Sequence, residues 1–148
     1  KGDDSMSKVS FDFDNTLTVM RFNPDEGIFC DFHGPNEVML QCMRAHIKNG
    51  NEVHVITSRN ESVASKTEIM RLLANNGLVR SIEAIHFTNG ELKAGLIEKL
   101  GVFRHHDDDP DEIAALPPSC DGILVKNGCV DAEGVVCNPL DPKFFFDD

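Results

Sequence analysis

The chain has no apolar run approaching the ~20 residues a helix needs to cross a bilayer. It also has no Lys/Arg cluster, no CxxC pair, no internal repeat and no linker. The first absence excludes a membrane-spanning helix. No secretory leader is expected either, since the first apolar stretch already reads as part of the fold. Basic residues are few: 14 Lys and Arg stand against 25 Asp and Glu, for a formal net charge of −11. Such a surface repels anionic membrane and disfavours, without forbidding, a nucleic-acid partner. It favours a metal cation wherever carboxylates cluster. The cysteines, Cys30, Cys42, Cys120, Cys129 and Cys137, are odd in number. They read as reduced thiols of a cytoplasmic protein. The spacing of Cys120, Cys129 and Cys137 matches no zinc-ligand pattern.

What is present is an ordinary globular composition, 41% hydrophobic and 26% charged over 148 residues. That length supports the core of one domain. Lys1–Ser5 reads as an expression remnant ahead of a natural start at Met6, leaving residues 6–148 as a single domain. Strand patterns cover residues 8–13, 52–56, 82–87, 102–106 and 122–125. Helical spacing over residues 35–49 joins Val38, Met39, Cys42, Met43 and His46, with Pro35 suited to the first turn and Gly50 to the stop. Asn60 is expected to cap a helix running to Asn76. Asn89 or Gly90 should open a short helix ending near Leu100, and Pro110 another. Residues 18–34, with Pro24, Gly27 and Gly34 as breakers, read as a small flap. From Lys126 onward no pattern can be placed.

Strands alternating with helices predict an α/β fold of three layers, doubly wound, with a mostly parallel sheet. Ligands bind such sheets beyond the carboxyl ends of the strands. Polar residues gather at those ends. The first strand runs into Asp12, Asp14 and Asn15, the second into Thr57, Ser58 and Arg59, and the fourth into Asp107, Asp108 and Asp109. Lys93 falls on the first turn of the helix after the third strand. Desolvating an ionised carboxylate costs several kcal/mol or more, so carboxylates at the end of an apolar strand imply a neutralising partner (roughly,).

Four stretches in this order, "VSFDFDNTLT", "VHVITS", "NGELKAG" and "HHDDDPDEI", resemble the motifs of the haloacid dehalogenase superfamily of phosphotransferases. They span residues 9–113. The resemblance implies a Mg²⁺-dependent phosphomonoester hydrolase that works through an aspartyl-phosphate. Asp12 would be the nucleophile and Asp14 the general acid and base. Asp14 would also bind metal through its backbone carbonyl. Thr57 would contact a phosphate oxygen, and Lys93 would face the phosphate and Asp12. Asp12 and Asp108, with Asp107, would complete the metal shell. Asn15, Ser58 and Arg59 would lie toward the substrate. Ser58 also reads as a helix cap, and Arg59 either as a substrate contact or as a salt-bridge former. Lys93 also reads as an exposed lysine paired with Glu91. Facing Asp12 at a helix start, it is attracted by the carboxylate and opposed by the helix dipole in nearly equal measure, so its removal is expected to lower turnover and leave stability nearly unchanged. His105 and His106 read as strand residues, one of them facing the sheet interior.

Cap modules of this superfamily enter after the first motif or between the second motif and the lysine. Neither interval here has room for one, so a capless type with an open site is expected. An open site suits a macromolecular phosphate, such as a polynucleotide end or a phosphoprotein. Alternatively, a neighbouring subunit could close the site over a small phosphorylated metabolite. The rival from another class is a non-catalytic protein of the same fold that binds phosphate or metal.

Overall fold

The computed structural model describes residues 7–125. Residues 1–6 and the tail from Lys126, with Cys129 and Cys137, lie outside the described residues. Val9, Ser10 and Phe11 are all fully buried in β1 (Lys8–Phe11). A strand without an exposed face belongs at the centre of a sheet covered on both sides. Accordingly β1 lies between β4 (Glu52–Thr57) and β6 (Arg104–Asp107), with β5 (Ile82–Phe87) and β7 (Asp121–Leu124) at the edges. The order is β5-β4-β1-β6-β7 and every pairing is parallel. This is the α/β architecture expected from the strand and helix alternation. The segment after β1 forms a separate antiparallel hairpin, β2 (Thr18–Asn23) and β3 (Ile28–Pro35), where the flap was expected.

Side-chain alternation divides the core. Val9, Phe11, Val53 and Val55 meet Met39, Leu40 and Met43 of α1 (Glu37–Lys48) and Ile69, Leu72 and Leu73 of α2 (Val63–Asn75). Ile56, next to Val55 in β4, points to the other face and packs with Ile97 of α3 (Ala94–Leu100) and with Val102 and Leu116. Each such buried side chain contributes roughly 1.5–3 kcal/mol. A short α4 (Pro110–Ala114), capped by Asp109 as expected, precedes β7. Among the described residues no helix is long and apolar enough to cross a membrane.

Three helix starts differ from expectation, each because a different residue makes the cap. Pro35 ends β3, and Asn36 caps α1 by accepting the Met39 N–H at 3.2 Å. Ser62, not Asn60, caps α2 by accepting the Ser65 N–H at 3.0 Å. Asn89 and Gly90 do not open α3: both have positive φ, 53° and 85°, and form a turn before it. That turn is tied to the end of β4 by backbone bonds from Asn89 to Arg59 and from Gly90 to Ser58. The cap position of α3 belongs to Lys93 itself.

Candidate active site

Asp12 follows β1 directly, and its N–H still donates to the His106 carbonyl of β6 at 2.9 Å. The chain then turns sharply, with Leu17 N–H donating to the Phe13 carbonyl at 3.0 Å and Asn15 at φ 62°. Asparagine tolerates that left-handed conformation better than most residues. Asn36 locks the turn from outside by donating to the Thr16 carbonyl at 2.9 Å while capping α1. Both carboxylates therefore stand at the carboxyl edge of the sheet.

A buried ionic cluster lies there. Lys93 Nζ donates to Asp12 Oδ1 at 2.8 Å and to Asp107 Oδ2 at 2.6 Å, and the lysine is only 2% exposed. It is therefore neither a surface lysine nor a partner of Glu91, and the expectation of a near-neutral truncation does not hold. Its backbone N–H, left over at the start of α3, donates to Glu112 Oε1 at 3.0 Å. Thr16 Oγ1 reaches the other Asp12 oxygen at 3.1 Å and Asp108 Oδ1 at 3.4 Å. Behind Asp107, His105 Nε2 lies 2.8 Å from Oδ2, and its Nδ1 lies 2.7 Å from Ser10 Oγ. The neutral ring fits both contacts, donating to Asp107 and accepting from Ser10.

The charges respond to this packing. Burial pushes the Asp12 carboxyl well above the usual range; Lys93 opposes the rise, and the neighbouring Asp107 and Asp108 add to it. Burial also raises Asp108. Burial would raise Asp107 too, but the His105 hydrogen bond and Lys93 outweigh it, and that carboxyl lies below its ordinary value. Burial works against charge on Lys93, yet Asp12 and Asp107 more than compensate and hold its pKa up. The lysine is thus charged, Asp107 ionised, and Asp12 with Asp108 the place where a proton or a cation is most readily taken up.

Asp14 sits apart from the cluster. Arg59 grips it with two bonds, Nε to Oδ2 at 2.9 Å and Nη2 to Oδ1 at 2.7 Å. Glu68 backs the same guanidinium at 2.8 Å, and the plane lies over the Phe13 ring at 5.3 Å. Arg59 thus forms a salt bridge, with Asp14. Thr57 is buried, and its Oγ1 accepts the Arg59 N–H at 3.2 Å, while the more exposed Ser58 faces the cleft. Ser58 is not a helix cap, because Ser62 takes that role. The cleft, ≈ 310 Å³, is lined by Asp12, Asp14, Asn15, Ser58 and Lys93 and by Asp107, Asp108 and Asp109.

Asp12, Asp107 and Asp108 each place a carboxylate oxygen within 4.8 Å of the others. Clustered hard oxygen donors suit Mg²⁺ better than a soft metal. Asp12 and Asp108, both pushed up by burial, are the two whose charge a cation would most relieve.

Four residues of the cluster escaped the sequence reading. Thr16 had a signal, as the last residue of the Asp-x-Asp-x-Thr run. His105 had one too, since it shares a strand face with Asp107. Ser10 and Glu112 had none. Both histidines are fully buried, not one of them: His105 belongs to this cluster, while His106 faces α1 and stacks on Phe11 with centroids 4.1 Å apart.

No family model and no curated protein matches the chain. Among solved structures it is similar to the cobalt-bound form of the deoxy-D-mannose-octulosonate 8-phosphate phosphatase from Haemophilus influenzae. That match has 15% identity, 85% of this chain and 68% of that one covered, and a TM-score of 0.43. A protein from Vibrio cholerae named for 3-deoxy-D-manno-octulosonate 8-phosphate phosphatase activity gives 15% identity, 87% and 67% coverage and a TM-score of 0.43. A hypothetical protein from Xanthomonas campestris gives 18%, 87% and 65%, and 0.44. At such scores the likeness carries no weight for function, which has to be read from the chain's own side chains.

Proposed function

We propose that the chain is a Mg²⁺-dependent phosphomonoester hydrolase of the capless haloacid dehalogenase type, acting through an aspartyl-phosphate on Asp12. One observation supports this most: Asp12 is held at the carboxyl edge of the central strand by Lys93 on one oxygen and Thr16 on the other, facing an open cleft. A structural ion pair needs no cleft. Asp12, Asp108 and Asp107 would hold the cation, with the Asp14 backbone carbonyl. Once bound, it would offset the charge of the phosphoryl group. Asp12 attacks phosphorus while the bond to the leaving-group oxygen breaks, and Asp14 gives that oxygen a proton. Asp14 then takes a proton from water, whose oxygen attacks the phosphorylated Asp12 and frees phosphate. Lys93 supports charge spreading onto the phosphoryl oxygens. For Asp14 to serve, Arg59 must yield at least one of its two bonds.

Between β1 and α1 the described residues hold only a hairpin, and between β4 and β5 only α2 and a short turn. The cleft therefore suits a phosphate carried on a large molecule, a phosphoprotein before an acid-repelled polynucleotide end, or a small metabolite enclosed by a second copy of the chain. The grip of Arg59 on Asp14 favours a second reading, a phosphate- or metal-binding protein without turnover. A chromogenic phosphomonoester assay with Mg²⁺ separates the two. Turnover that is lost on chelation and restored by Mg²⁺ is expected. Its complete absence at saturating Mg²⁺ supports the binding protein, and turnover unaffected by exhaustive chelation refutes the metal assignment. A panel of phosphopeptides, phosphate-ended oligonucleotides and phosphorylated metabolites then fixes the substrate class.

A further inference from the structure

On the face of the sheet opposite the acidic cluster, Cys42, His46 and His106 each place a ligand atom within 4.8 Å of the other two. Cys42 and His46 are one turn apart on α1, and His106 comes from β6. We propose that these three side chains form a transition-metal site, one that takes zinc and not magnesium, that pins α1 to β6. A thiolate with two imidazoles is a borderline-soft donor set, matched to Zn²⁺ and unsuited to Mg²⁺.

The geometry around each donor supports the assignment. His106 Nδ1 lies 3.0 Å from the Ser10 carbonyl, which can only accept, so Nδ1 carries the proton and the Nε2 lone pair points inward. That outer hydrogen bond is the usual way a metal-binding imidazole is oriented. Nε2 lies 3.7 Å from Cys42 Sγ. A tetrahedral ion about 2.3 Å from sulfur and about 2.0 Å from nitrogen sets those atoms about 3.5 Å apart. Stacking on Phe11, with the planes 3° apart, holds the His106 ring in place. His46 is held from outside by Asn51, whose side-chain amide lies 2.9 Å from Nδ1. A half-turn of that amide puts its oxygen against Nδ1–H and frees the Nε2 lone pair for the ion. His46 is half-buried and leaves an approach from solvent, while Cys42 and His106 are buried. On binding, the Cys42 thiol gives its proton to solvent and the thiolate takes the metal.

The test uses the full chain, stripped by chelation, returned to saturating Mg²⁺, incubated with Zn²⁺ and desalted. Metal per chain is then counted by mass spectrometry. Co²⁺ in place of Zn²⁺ reports thiolate ligation through its charge-transfer absorption. Wild type and Asp108→Asn should each retain a zinc ion that Cys42→Ala and His46→Gln lose. Affinity in those two variants should fall by more than about 100-fold, beyond the ~10–100-fold of losing an outer hydrogen bond. If Cys42→Ala does not fold, the more exposed His46→Gln decides the matter. Wild type without retained zinc, retention equal in wild type and His46→Gln, or a cobalt spectrum lacking the thiolate band would each overturn the site.

Discussion

Replacing Lys93 by methionine removes the charge while keeping most of the side-chain volume. The lysine bridges two carboxylates that are themselves buried, Asp12 at 5% and Asp107 at 1% exposure. Removing one partner of a buried ionic group costs ~3–5 kcal/mol, because the charges left behind are uncompensated. For a chain of this size that corresponds to a fall in thermal midpoint of roughly 6–20 °C. The cost should depend on pH. Asp12 is already pushed up by burial, so in the variant it takes a proton more readily than in the unfolded chain. A carboxyl raised in the folded state binds more protons folded than unfolded, so stability is gained as pH falls through its folded pKa. The deficit should therefore be largest near pH 8 and shrink toward pH 5. Mg²⁺ should recover part of it at pH 8. Urea denaturation of wild type and Lys93→Met at both pH values, with and without Mg²⁺, measures all of this. A deficit below ~1 kcal/mol at pH 8, or one equal at the two pH values, would refute the buried bridge and return Lys93 to a solvated pair.

Other outcomes follow from the same geometry. Asp12→Asn should abolish single-turnover phosphoryl transfer, and Asp14→Asn should slow it by ~10²–10⁴-fold; rapid-quench rates equal to wild type would remove either residue from its role. Burial pushes the His106 imidazole down to about 3. The unfolded ring therefore takes a proton before the folded one does, and stability is lost as pH falls below about 6.5, by ~2 kcal/mol at pH 5. In chelated protein, His106→Gln should flatten that slope relative to wild type, as read from denaturation midpoints between pH 7 and 5. A methyl group on Gly122 would come within 2.8 Å of Ile113 Cγ2 and Leu116 Cδ1, so Gly122→Ala should cost ~1–3 kcal/mol in urea melts by forcing those two side chains to repack.

The sheet was legible because β1, β4 and β5 carry Val, Ile and Phe in strand-length runs and the strands lead into polar residues, a pattern that survives without any knowledge of partners. The helix starts were less so. Pro35, suited to a first helical turn, instead ends β3, and Ser62 takes the cap from Asn60; which residue starts a helix is set by which side chain reaches a free N–H once the preceding loop has its path. Asp12, Asp14, Lys93, Asp107 and Asp108 could be named because carboxylates at strand ends need a counter-charge. That Lys93 would be buried could not, since its partners Asp12, Asp107 and Glu112 come from three separate places along the chain. The Arg59 grip on Asp14 lay beyond sequence for the same reason: it depends on Glu68, nine residues away on the next helix. The Cys42, His46 and His106 group joins two elements that only the fold brings together.

The central place of β1 has a kinetic consequence. Its neighbours β4 and β6 come from far along the chain, and Ser10 meets His105 across 95 residues. At ~5–20 residues per second, a ribosome needs roughly 5–20 s to deliver the second half of that contact after the first. During that interval Asp12 and Asp14 remain hydrated, without the lysine or the strand that later encloses the first of them. Closing so long a loop precedes any reward from the contacts it makes, which places this protein among slower folders for its size. The acidic pocket therefore forms only once β6 has joined β1, and a chain that has paired only β1 with β4 holds Asp12 without Asp107 and Asp108.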